Sequence, residues 1–261
     1  MARRFESSNP VFTRSEPLVR ASGTGFRTTS IEDASRVYTT PQRLTMEDIL
    51  MKTAILLGII FVTGAFAWVL DVGTGVMALS GLVGFGLAMV NIFKKQISPS
   101  LVIAYAAFEG VFLGAISHTY ENVFGGGITA QAAIGTGAVF TAVLVGYKSG
   151  RLRATPKFTK MVTVAFVGLF ILLIANLLIS AIGGGDGLGL RSGGPIAILF
   201  SLAFIAVGSM TFVLDFDQAD RMVAAGVDSR EAWRVSFGLV VGLVWLYLEV
   251  LRLLSYLQGR D

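Results

Sequence analysis

The sequence contains no cysteine and only one histidine, His118. Disulfides, thiolate metal sites and multi-histidine metal centres are therefore excluded, and an HExxH protease with them. Charge is scarce as well: 15% of the residues are Asp, Glu, Lys or Arg, against about 25% in a soluble domain. A soluble chain of 261 residues is not built at that density. GxSxG does not occur, and the last apolar run holds no mid-span lysine of the kind that carries a retinal. The basic residues sit in connections beside apolar runs, as membrane-flanking loops require, so no nucleic-acid surface is expected. No signal peptide is expected either, because about 45 polar residues precede a first apolar run longer than the ~7–15 residues of an h-region.

What is present is hydrophobic length. Hydrophobic residues make up 54% of the chain, and the mean hydropathy is +0.71. Seven apolar runs stand out: Leu50–Leu70, Gly75–Phe93, Leu101–Thr119, Thr129–Tyr147, Phe158–Ile182, Pro195–Leu214 and Val235–Leu257. Each is close to the ~20 residues that carry a helix across a ~30 Å hydrocarbon layer. The expected fold is all-α, a polytopic integral membrane protein with seven transmembrane helices over residues 46–261. Residues 1–45, rich in Arg, Ser, Thr and Pro, read as a disordered cytoplasmic tail. Thr45, followed three residues on by Asp48, reads as a capping box that opens the first helix. The fourth run, with Gln131 and many small residues, carries the weakest apolar signal.

The Lys and Arg placement sets the expected orientation. Of 21 basic residues, 18 fall in the tail and in alternate connections: eight through Lys52, then Lys94 and Lys95, five between Lys148 and Lys160, and Arg221, Arg230 and Arg234. Arg191 is the one basic residue in the remaining connections, and Arg252 and Arg260 belong to the last helix and terminus. The expectation is an inner (plasma) membrane protein with its N-terminus cytoplasmic and its C-terminus outside.

Acidic residues within or beside the runs point to chemistry, since a charge at mid-bilayer costs about 2.5–3.5 kcal/mol on insertion scales. Glu109 lies in the third run, Asp215 ends the sixth and Glu249 lies inside the seventh; Asp217 follows just beyond the sixth. Counting at ~1.5 Å per residue puts Glu109 roughly 12 Å and Glu249 roughly 20 Å from the cytoplasmic ends of their helices. Ser201, Phe204, Gly208, Thr211 and Asp215 share one face of the sixth helix, and Gly238, Gly242 and Glu249 one face of the seventh. Gly110 and Gly114 beside Glu109 follow a small-xxx-small spacing, for which close packing alone is a sufficient reading. The carboxylates also admit a structural reading. Glu249 and Arg252 are three apart and can form an intrahelical ion pair, while Arg252 could instead reach outward to the interface. His118 reads as an interface residue. GGGD at Gly183–Asp186 resembles the GxGD of intramembrane aspartyl proteases, a match that so glycine-rich a loop produces by chance.

AFEGVFLGAIS, YKSGRLRATPKF, VLDFDQ and WLYLEVLRLL resemble the Bax inhibitor-1 family, in particular its bacterial YccA-like branch, from about Met46 to the C-terminus. The resemblance implies a seven-helix bundle and a pH-sensitive calcium leak, in which two acids near the ends of the last two helices share a proton and latch the pore. By motif these would be Asp215 and Glu249, although residue counting leaves the two at different depths and Glu109 is a second candidate neighbour for Glu249. Some relatives instead bind and restrain a membrane protease or act in stress and cell-death control.

The expected function is therefore a proton-gated cation leak. Glu109 and Glu249 would be pathway carboxylates offering transient oxygen ligands to Ca²⁺, and Asp215 with Asp217 would form a cytoplasmic gate. Two nearby carboxylates in low dielectric cannot both ionise easily, so a shared proton can close such a gate. No enzymatic activity and no cofactor are expected. The alternative is a non-conducting regulator that docks on another membrane protein, such as a membrane protease. Intramembrane proteolysis would need two facing aspartates at mid-depth, where the chain has only glutamates.

Overall fold

The computed structural model describes residues 43–183, 185 and 187–259. The expected disordered tail lies almost wholly outside the described residues. Seven helices follow: α1 Met46–Val69, α2 Thr74–Phe93, α3 Pro99–Phe124, α4 Ile128–Lys148, α5 Pro156–Gly183, α6 Pro195–Ala224 and α7 Glu231–Gln258. All seven are long and apolar enough to cross a membrane, and no strand occurs among the described residues. The fourth run is a helix like the others.

Local chemistry sets the helix ends. At the start of α1 the Thr45 side chain accepts from the Asp48 N–H while the Asp48 carboxylate takes the Thr45 N–H, the capping box expected there. Pro99 and Pro195 open α3 and α6, where a missing N–H costs nothing. Between α3 and α4, Gly125, Gly126 and Gly127 all take positive φ (64°, 68° and 75°), a left-handed run that side chains would strain. Glu121 closes that turn by accepting from the N–H groups of Gly127 (2.8 Å) and Thr129 (3.2 Å) at the start of α4.

The sixth run is longer than its apolar part. The stretch Asp215–Arg234 reads from composition as a polar connector, whereas α6 continues through Asp215 to Ala224 and only a short turn precedes α7. A 30-residue helix extends about 45 Å, well beyond the ~30 Å hydrocarbon, so its last turns can be polar without leaving the helix. Ion pairing at i,i+4 (Asp217 to Arg221, 2.7 Å) and a hydrogen bond from the Tyr147 hydroxyl of α4 to Asp220 support those turns.

Helix α7 is the hub. It packs against α1, α3, α4 and α6, while α3 also packs closely on α1 and α2. The α1–α3 crossing depends on glycine: a Cβ on Gly114 would overlap the Gly64 carbonyl, and one on Gly110 would overlap Ile60 and the Thr63 hydroxyl. At the Leu44 end, Arg234 of α7 donates to the Lys95 carbonyl (2.8 Å), and Lys52 donates to the Ser229 carbonyl (3.0 Å) while lying over the Trp233 ring. Helix α5 is the outlying element. It packs along α6 and meets α7 through Phe166 and Phe170 on Trp245.

Candidate functional site

The two small-residue faces of the last helices meet. Gly208, Thr211 and Asp215 of α6 and Gly238, Gly242 and Glu249 of α7 line one cavity of about 250 Å³, with Phe166 of α5 also on its wall. These glycines differ in role. A Cβ built on Gly208 or Gly238 meets nothing within 4 Å, whereas one on Gly242 would stand 2.9 Å from the Phe212 ring. Gly242 is thus a packing glycine, and Gly208 and Gly238 keep the cavity open.

Glu249 is buried at 2% exposure and fully engaged. Its Oε1 accepts from the Ser201 hydroxyl at 2.8 Å, and its Oε2 accepts from Arg252 Nη1 at 2.8 Å. Arg191, from the connection between α5 and α6, places Nη1 at 3.3 and 3.2 Å from the two carboxylate oxygens. Two guanidinium groups therefore neutralise one buried carboxylate, the condition under which such a charge is tolerated. Arg191 is itself held over the rings of Phe200 and Phe204, at 5.8 and 5.9 Å. Its loop is anchored by buried Asn176 of α5, whose Oδ1 accepts from the N–H groups of Leu188 (2.8 Å) and Leu190 (3.3 Å). The GGGD segment in the same connection lies partly outside the described residues.

Asp215 stands at the other end of this cavity. Ser201 is level with Glu249 by their hydrogen bond, and Asp215 lies 14 residues further along the same unbroken helix, about 21 Å away. A proton shared directly between Asp215 and Glu249 is ruled out by that spacing. Asp217 does not line the cavity; it pairs with Arg221 on the far side of α6. The two aspartates of the expected gate are thus separated by the helical turn, two residues placing them ~200° apart.

Glu109 belongs to neither end. Buried at 8% exposure, it points from α3 at Gly84 of α2, where an added Cβ would come within 2.9 Å of Oε2. One turn earlier, Tyr105 packs edge-on against Phe237 of α7. Glu109 does not approach Glu249, which the arginines occupy instead. None of the four arginine–carboxylate ion pairs among the described residues involves Glu109 or Asp215. His118 faces Asp71 at 3.0 Å beside Trp68, beyond the end of α1. Among the described residues no group of three or more His, Asp or Glu is placed to hold a metal ion.

Arg191 is the residue of this site that sequence reading missed. From sequence it is a lone basic residue in a glycine-rich connection. The available signal was Glu249 itself, since a carboxylate buried that deeply demands cations from somewhere, and one arginine three residues away does not saturate its two oxygens.

Seven apolar helices around a buried polar seam define a polytopic helical membrane protein. The model of the Bax inhibitor 1 like family matches residues 9–259, nearly the whole chain, and the chain belongs to that family. Comparison with curated proteins gave no match.

Proposed function

We propose that this protein is a pH-sensitive cation leak whose path runs between α5, α6 and α7, with Ca²⁺ as the favoured ion. The observation that carries the reading is the cavity with Asp215 at one end and Glu249 at the other, kept open by Gly208 and Gly238. Hard carboxylate and hydroxyl oxygens suit Ca²⁺, and Thr211 adds a hydroxyl beside Asp215. Control by protons then falls to Asp215 acting singly. Ionised, it draws a cation into the cavity; protonated, it leaves the entrance neutral. At the opposite end Arg191 and Arg252 occupy Glu249 and keep that exit shut until they move. In this reading the Leu44 end of the bundle is cytoplasmic, the Arg191 end faces outward and the membrane is the plasma (inner) membrane. The protein is not an enzyme.

A second reading has its own support. Glu249 satisfied by Ser201 and two arginines is also what a static structural keystone looks like. A non-conducting regulator, docked on another membrane protein such as a protease, would need no mobile carboxylate. Purified chain in proteoliposomes with an enclosed Ca²⁺ dye separates the two. The leak requires entry above that of protein-free vesicles, rising from acid to neutral pH; no excess entry at any pH leaves the regulator.

A further inference from the structure

A second and larger cavity, about 820 Å³, opens at the Arg191 end between α3, α5 and α7. Its walls are divided. Leu173, Ile174 and Leu177 of α5 face Trp245 and Leu248 of α7 on the side towards mid-bundle, and Arg191, Arg252 and Tyr256 stand at the end of the bundle. Helix α5 packs along α6 here, so its α7 side stays open to the surroundings of the bundle, and Leu172, Ile174, Leu177 and Leu178 are exposed. An apolar slot open towards acyl chains and topped by cations has the polarity profile of a phospholipid.

The arginines have capacity to spare. Both bond Glu249 through Nη1 alone, leaving Nε and Nη2 of each guanidinium with no hydrogen bond to a described residue. Two guanidinium groups against one carboxylate leave an excess of one positive charge at the mouth among the described residues. Their side chains are 19% and 27% exposed, so a ligand reaches them without unfolding the loop. Planar forks with free N–H groups match phosphate oxygens bidentately, and every anionic phospholipid carries a phosphate at headgroup depth. The mouth is also built to stay in place: Tyr256 donates to the Arg191 carbonyl at 3.3 Å, and Ser255 donates to the Arg252 carbonyl at 2.7 Å.

We propose that this cavity is a binding site for an anionic phospholipid, its phosphate on Arg191 and Arg252 and one acyl chain in the slot between α5 and α7. Binding there does not depend on ion conduction. It does bear on Glu249, because phosphate and carboxylate compete for the same two cations.

Trp245 lines the slot and serves as the reporter. The full chain carrying Trp68→Phe and Trp233→Phe is reconstituted with phosphatidylglycerol or phosphatidylcholine brominated on the acyl chains. Trp245 emission should be quenched at about five-fold lower mole fraction of the anionic lipid, the preference expected from one uncompensated cation near a membrane surface. Arg252→Gln should remove most of that preference, and Arg221→Gln, at the opposite end of the bundle, should keep it. Equal quenching by both lipids, or a preference untouched by Arg252→Gln, overturns the site. Relief of quenching by millimolar glycerol phosphate would assign the site to soluble anions and overturn the lipid. If the tryptophan variant does not fold, native mass spectrometry of the unaltered chain from mixed vesicles reads the same quantity. Retained phosphatidylglycerol is expected, and equal retention of both lipids overturns the proposal.

Discussion

Arg191 reaches across 58 residues of sequence to place Nη1 within 3.3 Å of both carboxylate oxygens of Glu249, tying the α5–α6 connection to the C-terminal half of the most buried helix. That ion pair and the local pair to Arg252 share a single acid, so the arginines cannot be treated one at a time.

Their coupling makes a stability prediction. Glu249→Gln leaves two cations facing each other without an anion. Removing one partner of a fully buried pair costs about 3–5 kcal/mol, and the partial exposure of both arginines lowers the expected loss to about 2–3 kcal/mol. Adding Arg252→Gln should restore less than half of it, because Arg191 stays unpaired. Adding Arg191→Gln as well should restore most. Thermal unfolding of the purified variants measures all three steps, and full rescue by Arg252→Gln alone would show that Arg191 contributes nothing.

The glycines divide into two groups that mutation should separate. Gly114→Ala forces a Cβ into the Gly64 carbonyl, so α1 and α3 must part, at a cost of about 1–3 kcal/mol or more. Gly208→Ala and Gly238→Ala meet open space and gain up to ~1 kcal/mol of helix propensity. The same two changes narrow the cavity beside Asp215, so they should reduce Ca²⁺ entry in proteins at least as stable as the parent. Unchanged entry in both would place the path elsewhere.

The span count, the capping box at Thr45 and the faces of α6 and α7 were legible because each rests on local spacing: hydrophobic length, a three-residue interval and the 3.6-residue turn. Partner choice is not local. Nothing in the sequence near Glu249 says that Arg191 rather than Glu109 will meet it, since that depends on how the α5–α6 connection folds back through Asn176. The extension of α6 to Ala224 was hidden for another reason. Composition marks where a helix leaves hydrocarbon, not where it stops.

Orientation is open to a chemical test that the absence of cysteine makes clean. In intact cells Ser8→Cys and Lys157→Cys should resist a membrane-impermeant thiol reagent, while Ser192→Cys beside Arg191 should react. Lysis should expose the first two. Labelling of Ser8→Cys or Lys157→Cys without lysis reverses the orientation drawn from the basic residues.

Asp215 supplies the decisive pH experiment. The other titratable side chain on its cavity is Glu249, about 21 Å along the helix axis and already neutralised by two arginines. Asp215 should therefore titrate as one site, giving a single smooth transition in Ca²⁺ entry where a coupled pair would give two. The sign follows from charge: the ionised form attracts the cation, so entry rises with pH through the transition. Asp215→Asn is neutral at every pH and should hold entry at the low, acid level throughout. Asp217→Asn removes a carboxylate that faces Arg221 and not the cavity, so it should keep the parent profile. A flat profile in Asp217→Asn with a normal one in Asp215→Asn would move the proton site to the polar end of α6. Parent-like profiles in both variants would remove Asp215 from the mechanism.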